Sequence, residues 1–148
     1  MVLGTAESSE RAIARPISIR LDVNPNGTGI LTTKATNGQG GYKPGNLVLN
    51  KPRTLKREET DWMLERIKEV GFWGLPTYEK PHESVGPDGK TFVDEVNLDG
   101  AQWIFEGVKD GKYQVTDRWS PENGPVRILG IIMLIDMSKL RLLYQEVY

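Results

Sequence analysis

The chain has 148 residues, of which 38% are hydrophobic and 26% charged, with a net charge of −1. This is the composition of one globular domain, 1–148, and it lacks the basic footprint of a nucleic-acid binder. The absence of cysteine removes disulfides, thiol catalysis, zinc ribbons and iron–sulfur clusters together.

Residues 1–14 read as a flexible N-terminal tail. "MVLGTAESSERAIARP" has no apolar segment of the kind that marks a secretory signal, so no signal peptide is read in this chain. "ISIRLDV" then alternates, with Ile17, Ile19, Leu21 and Val23 on one face, and predicts a half-buried strand. "NPNG" is a turn, and "TGILTTKAT" returns as a second strand. "NGQGGYKPGN" is a glycine-rich connection, and "LVLN" is a short strand.

Met63, Leu64, Ile67 and Val70 recur at helical spacing within "REETDWMLERIKEVG". Glu58 and Glu59 suit the first turn of that helix, and Gly71 suits its stop. Phe72, Trp73 and Leu75 are expected to fold back as an apolar plug. "PTYEKPHESVGPDGKT" reads as a long polar loop, followed by a strand in "TFVDEVNL". Two more strands lie within "GAQWIFEGVKDGKYQVTDRW". A final helix is expected over 125–143, with Pro125 at its first position and Ser120, Asn123 or Gly124 as its cap.

The order β-β-α-β-β-β-α predicts an α+β fold: an antiparallel sheet of about five strands with two helices packed on one face. Ile128–Ile135 is too short to span a bilayer, so no transmembrane segment is expected. The last helix is apolar around most of its circumference. It therefore sits deep in the monomer or builds a homodimer.

Register in the last hairpin decides which side chains share a face. A two-residue Asp110-Gly111 turn mixes apolar and charged groups on both faces. A three-residue Lys109-Asp110-Gly111 loop with a bulge separates them better, and that register is expected. It places Trp103, Phe105, Tyr113, Val115 and Trp119 inward, with Asp117 among them and Tyr113 over Gly107. Glu106, Gln114 and Arg118 then form a polar cluster on the outer face.

That cluster suits recognition of a carboxylate or sugar, or an ordinary cross-strand network. His82, the only histidine, is a second candidate beside Glu79, Glu83 and Asp88. Tyr42 and Tyr78 sit in loops and are free for ligand contact. No metal site and no cofactor are expected. The expected partner is a protein or a small-molecule ligand.

The motif "FWGLP" followed by "DGAQWIFEGVKDGKYQVTDRWSP" resembles a family of bacterial proteins, many of them exported. Its pattern is "FW.LP", then "DGa.W..EG...GkYh....RWsP". The matching positions are Phe72, Trp73, Leu75, Pro76, Asp99, Gly100, Trp103, Glu106, Gly107, Gly111, Tyr113, Arg118, Trp119 and Pro121. A histidine often follows the tyrosine in that pattern, where this chain has Gln114. The resemblance implies a periplasmic or extracellular protein and brings no activity with it. A non-enzymatic binding or interaction module is the leading expectation. The alternatives are a hydrolase-like enzyme using Glu106 or the His82 loop, and an inhibitor or immunity-type protein.

Overall fold

A computed structural model describes residues 16–38, 43, 45–79, 83–93 and 100–140. The tail expected at 1–14, Tyr42 and His82 lie outside them. The α+β class holds, with all strand pairs antiparallel. The strands are divided among separate sheets: β1 (Ile17–Val23), β2 (Gly29–Thr36) and β3 (Leu47–Leu55) form one, in the order β1-β2-β3. Two hairpins make the others, β4 (Glu83–Val85) with β5 (Thr91–Val93), and β6 (Gln102–Lys109) with β7 (Lys112–Trp119).

The first hairpin forms as its alternation dictates. Asn24 N–H donates to Thr28 O at 2.8 Å, and Gly27 N–H to Asn24 O at 2.9 Å. Leu21 pairs with Leu31, and Leu31 with Arg53, so one row crosses the inner face. β3 runs nine residues, well beyond "LVLN". Pro52 lies inside it, tolerated because β3 is an edge strand.

Helix α1 (Arg57–Glu69) presents Thr60 and Met63 to the core, with Ile67 and Val70 packed beside them; Leu64, expected with them, is exposed. Glu59 accepts the Lys56 N–H at 3.0 Å, which closes the first turn. That backbone bond, together with a bond from Arg53 Nη1 at 2.8 Å, holds the Glu59 carboxyl below its ordinary pKa. Gly71 takes φ 67° and ends the helix. The chain then turns through a short 3₁₀ segment, Phe72–Gly74, which buries Phe72.

The stretch read as one polar loop contains the β4–β5 hairpin. Gly86 N–H donates to Lys90 O at 2.8 Å and Gly89 N–H to Gly86 O at 2.9 Å, closing a loop with Pro87 and Asp88 at its tip.

Helix α2 covers Gly124–Ile131, with Pro125 in its first turn and Asn123 before it. Asn123 makes no side-chain cap bond, and Ser120 Oγ instead accepts the Ala101 N–H at 2.8 Å. The helix widens into a π-helical stretch, Ile132–Met137, and stops short of 143. Ser138 Oγ donates to Leu134 O at 2.6 Å, and Lys139 takes φ 54°, which turns the chain away. Arg53 Nη2 donates to Met137 O at 2.8 Å, so one arginine ties β3, α1 and the end of the π-helical stretch together.

Leu31, Leu55, Met63, Phe72, Leu129 and Met137 form the main core cluster. Trp103 and Val126 form a second, with Leu75 and Phe105 packed against both clusters. The Trp103 ring lies so close on Gly130 that a Cβ there would overlap it.

Candidate functional site

The β6–β7 hairpin overturns the expected register. Asp110 takes φ 50° and Gly111 φ 73°, and the turn contains those two residues alone. Two left-handed residues match the right-handed twist of the flanking strands, which a bulged loop does not need. Trp103 therefore pairs with Arg118, Phe105 with Thr116, and Gly107 with Gln114. The inner face carries Trp103, Phe105, Gln114, Thr116 and Arg118. The outer face carries Ile104, Glu106, Val108, Tyr113, Val115, Asp117 and Trp119.

Main-chain acceptors outside the hairpin favour this register, not the segregation of its own side chains. The segment after Phe72–Gly74 lays its carbonyls against the hairpin, where Thr77 O takes the Asp117 N–H at 2.7 Å and the rest need side-chain donors. Gln114 Nε2 donates to Leu75 O at 2.6 Å. Arg118 Nη2 donates to Pro76 O at 2.8 Å, and its Nη1 to Thr77 O and Asp117 O, both at 2.7 Å. Its Nε meets Glu79 Oε1 at 2.9 Å. Arg118 is only 5% exposed. The guanidinium is thus an internal clamp, and its donors are occupied by the chain itself.

Glu106, Gln114 and Arg118 do not converge. Glu106 is on the outer face, and the other two point inward. Glu106 and Asp117 do share a face, against expectation, on neighbouring rungs. Each is tied locally: Gln102 Nε2 donates to Asp117 Oδ2 at 2.9 Å, and Tyr113 hydrogen-bonds Glu106. Tyr113 does not cover Gly107. A Cβ at Gly107 would instead stand 2.9 Å from Phe72 Cε1 and 3.0 Å from Trp73 Cη2, so the aromatic plug fills that space.

Partial desolvation raises the Tyr113 pKa above the ordinary phenol value, with the Glu106 charge adding to it. Glu106→Gln should lower the Tyr113 pKa towards, without reaching, that of a free tyrosine. Phenolate absorbance followed through an alkaline titration checks it, and an unmoved midpoint would break the Glu106–Tyr113 pairing.

A concave feature lies elsewhere among the described residues, in a groove of about 780 Å³ between α1 and the tip of the β6–β7 hairpin. Val23, Trp62, Leu64, Trp73 and Val108 line it, and all five are exposed. Val108 is the barest, at 74%. Its cross-strand partner is Tyr113, 60% exposed, so the apolar lining runs on to the outer hairpin face. Glu58, Asp61, Glu65 and Lys68 form one wall from α1, and Lys109 stands on the hairpin side. Sequence reading had no reason to join these residues across the chain. One signal was visible: Trp62 falls off the Met63–Ile67–Val70 stripe, and a tryptophan there faces away from the core.

Among the described residues, no group of three or more acidic or histidine side chains is placed to hold a metal ion. No helix among them is long and apolar enough to cross a membrane. Compared with known proteins, the chain matches no family model, no curated protein and no solved structure.

Proposed function

We propose that the protein is a non-enzymatic binding module that docks a segment of a partner protein in the groove between α1 and the β6–β7 tip. One observation carries this reading. Five apolar side chains, two of them indoles, line one concavity while remaining exposed, a surface that a docked segment would cover. An inhibitor or immunity-type protein is one form of such a module. The resemblance to exported bacterial proteins supports a periplasmic or extracellular setting. The hydrolase alternative rests on Glu106 or the His82 loop: Glu106 is taken up by Tyr113 on an open sheet face away from the groove, and His82 lies outside the described residues.

Leu64→Glu and Val108→Asp test the reading, since both side chains are exposed and neither belongs to a core cluster. Each should leave the melting temperature within about 2 °C, as surface substitutions do. Each should weaken capture of a native partner roughly tenfold or more, the cost of removing a central apolar anchor. Undiminished capture by both variants would refute the groove as the docking surface.

A second proposal is a homodimer through α2, favoured by one observation: the apolar Ile128 is 49% exposed on a helix whose one charged residue is Arg127. Ile128→Glu should then convert a dimer to a monomer in analytical ultracentrifugation. A wild-type chain that sediments as a monomer at high concentration removes this proposal.

A further inference from the structure

The groove has a charge direction along its length. Glu58, Asp61 and Glu65 follow one another along α1, and Lys68 continues the same line. At 1.5 Å per residue, Glu58 and Lys68 stand about 15 Å apart along the helix. Val23 lies at the acidic end, beside the start of β2, where Gly29 approaches Thr60 of α1. Trp73, Lys68 and Lys109 lie at the other end, where the plug meets Gly107 of β6.

The acids along this wall are open to a ligand. Glu58 has no ion-pair partner among the described residues. Asp61 meets Arg57 only at 3.6 Å, with both side chains more than half exposed. Arg66, the nearest cation to Glu65, is held more closely by Glu69, at 2.6 Å against 3.5 Å.

Resting on the docking reading above, we infer that the groove takes an extended peptide segment bearing a basic residue at one end, an acidic residue at the other, and apolar residues between. The length follows from the wall. About 15 Å corresponds to a spacing of four to five residues in a strand that rises about 3.3 Å per residue. The basic side chain faces Glu58 and Asp61. The acidic one faces Lys68 and Lys109. The intervening side chains meet Trp62, Leu64, Trp73 and Val108.

The probe is an end-blocked peptide of sequence Gly-Arg-Val-Leu-Val-Glu-Gly, titrated into the intact protein while tryptophan emission is read. Three companions carry Gln/Gln, Glu/Glu or Arg/Arg in place of the Arg/Glu pair. The Arg/Glu peptide should bind roughly tenfold more tightly than the Gln/Gln peptide at low salt, about 1.4 kcal/mol shared between two exposed ion pairs. Glu58→Lys combined with Asp61→Lys should shift the preference to the Glu/Glu peptide. Lys68→Glu combined with Lys109→Glu should shift it to Arg/Arg. Equal binding of all four peptides overturns the charge direction and leaves the docking reading standing. No emission change with any of them, with melting temperatures unaltered, overturns both.

Discussion

Arg118→Ala should lower the melting temperature by about 10 °C, the largest loss expected from any single polar side chain among the described residues. The guanidinium donates to Pro76 O, Thr77 O and Asp117 O from an almost fully buried position. Truncation leaves Pro76 O without its donor. Thr77 O keeps the Asp117 N–H at 2.7 Å, which limits the damage. Losing charge-assisted bonds of this kind costs about 3 kcal/mol, and in a chain of this size each kcal/mol moves the midpoint by roughly 2–4 °C. Arg118→Lys should recover only part of the loss, because one ammonium cannot reproduce a planar fork that reaches three carbonyls. Glu79→Gln should do little, since the Glu79 side chain is 74% exposed. Thermal unfolding of the three variants checks the ranking. Arg118→Ala melting beside the wild type would mean the clamp is not what holds the 75–79 segment.

Gly130→Ala should destabilise the fold by about 2 kcal/mol or more, although alanine is the better helix former. The added methyl would occupy space taken by the Trp103 ring, between its Cζ3 and Cε3 atoms. The ring cannot slide away cheaply. It is packed against Val126 and neighbours Leu75 and Phe105, and the Arg127 guanidinium lies 5.2 Å from its centre. Trp103→Phe alone should also destabilise, by leaving a cavity. Combined, the two changes should cost less than their sum, because the smaller ring makes room for the methyl. Chemical denaturation of the four members of this cycle reads the coupling directly. Simple additivity would place Trp103 and Gly130 out of contact.

Much of the fold was legible where local pattern and tertiary demand agree. β1, β2 and their turn follow from strict alternation ended by Asn-Pro-Asn-Gly. Helix α1 follows from its Met63–Ile67–Val70 stripe and its acidic first turn. The β4–β5 hairpin was legible too, in an Asp-Gly pair between two short runs, and the surrounding polar residues hid it. The β6–β7 register was hidden for a different reason. The choice turned on carbonyls of residues 75–77, some forty positions away, which no pattern within the hairpin reveals. The candidate groove was hidden for the same reason, since its walls come from β1, α1, the 3₁₀ segment and the hairpin tip.

The nine residues of β3 also bear on how copies of the molecule meet. An edge strand offers a row of main-chain groups to any other strand, which makes it a template for aggregation. Here that edge carries Lys51, Pro52 and Arg53 at its centre. Pro52 has no N–H to offer, and the exposed Lys51 places a charge on the edge that a second copy would have to meet. The residues that disguised the strand in the sequence therefore also keep it from recruiting another chain.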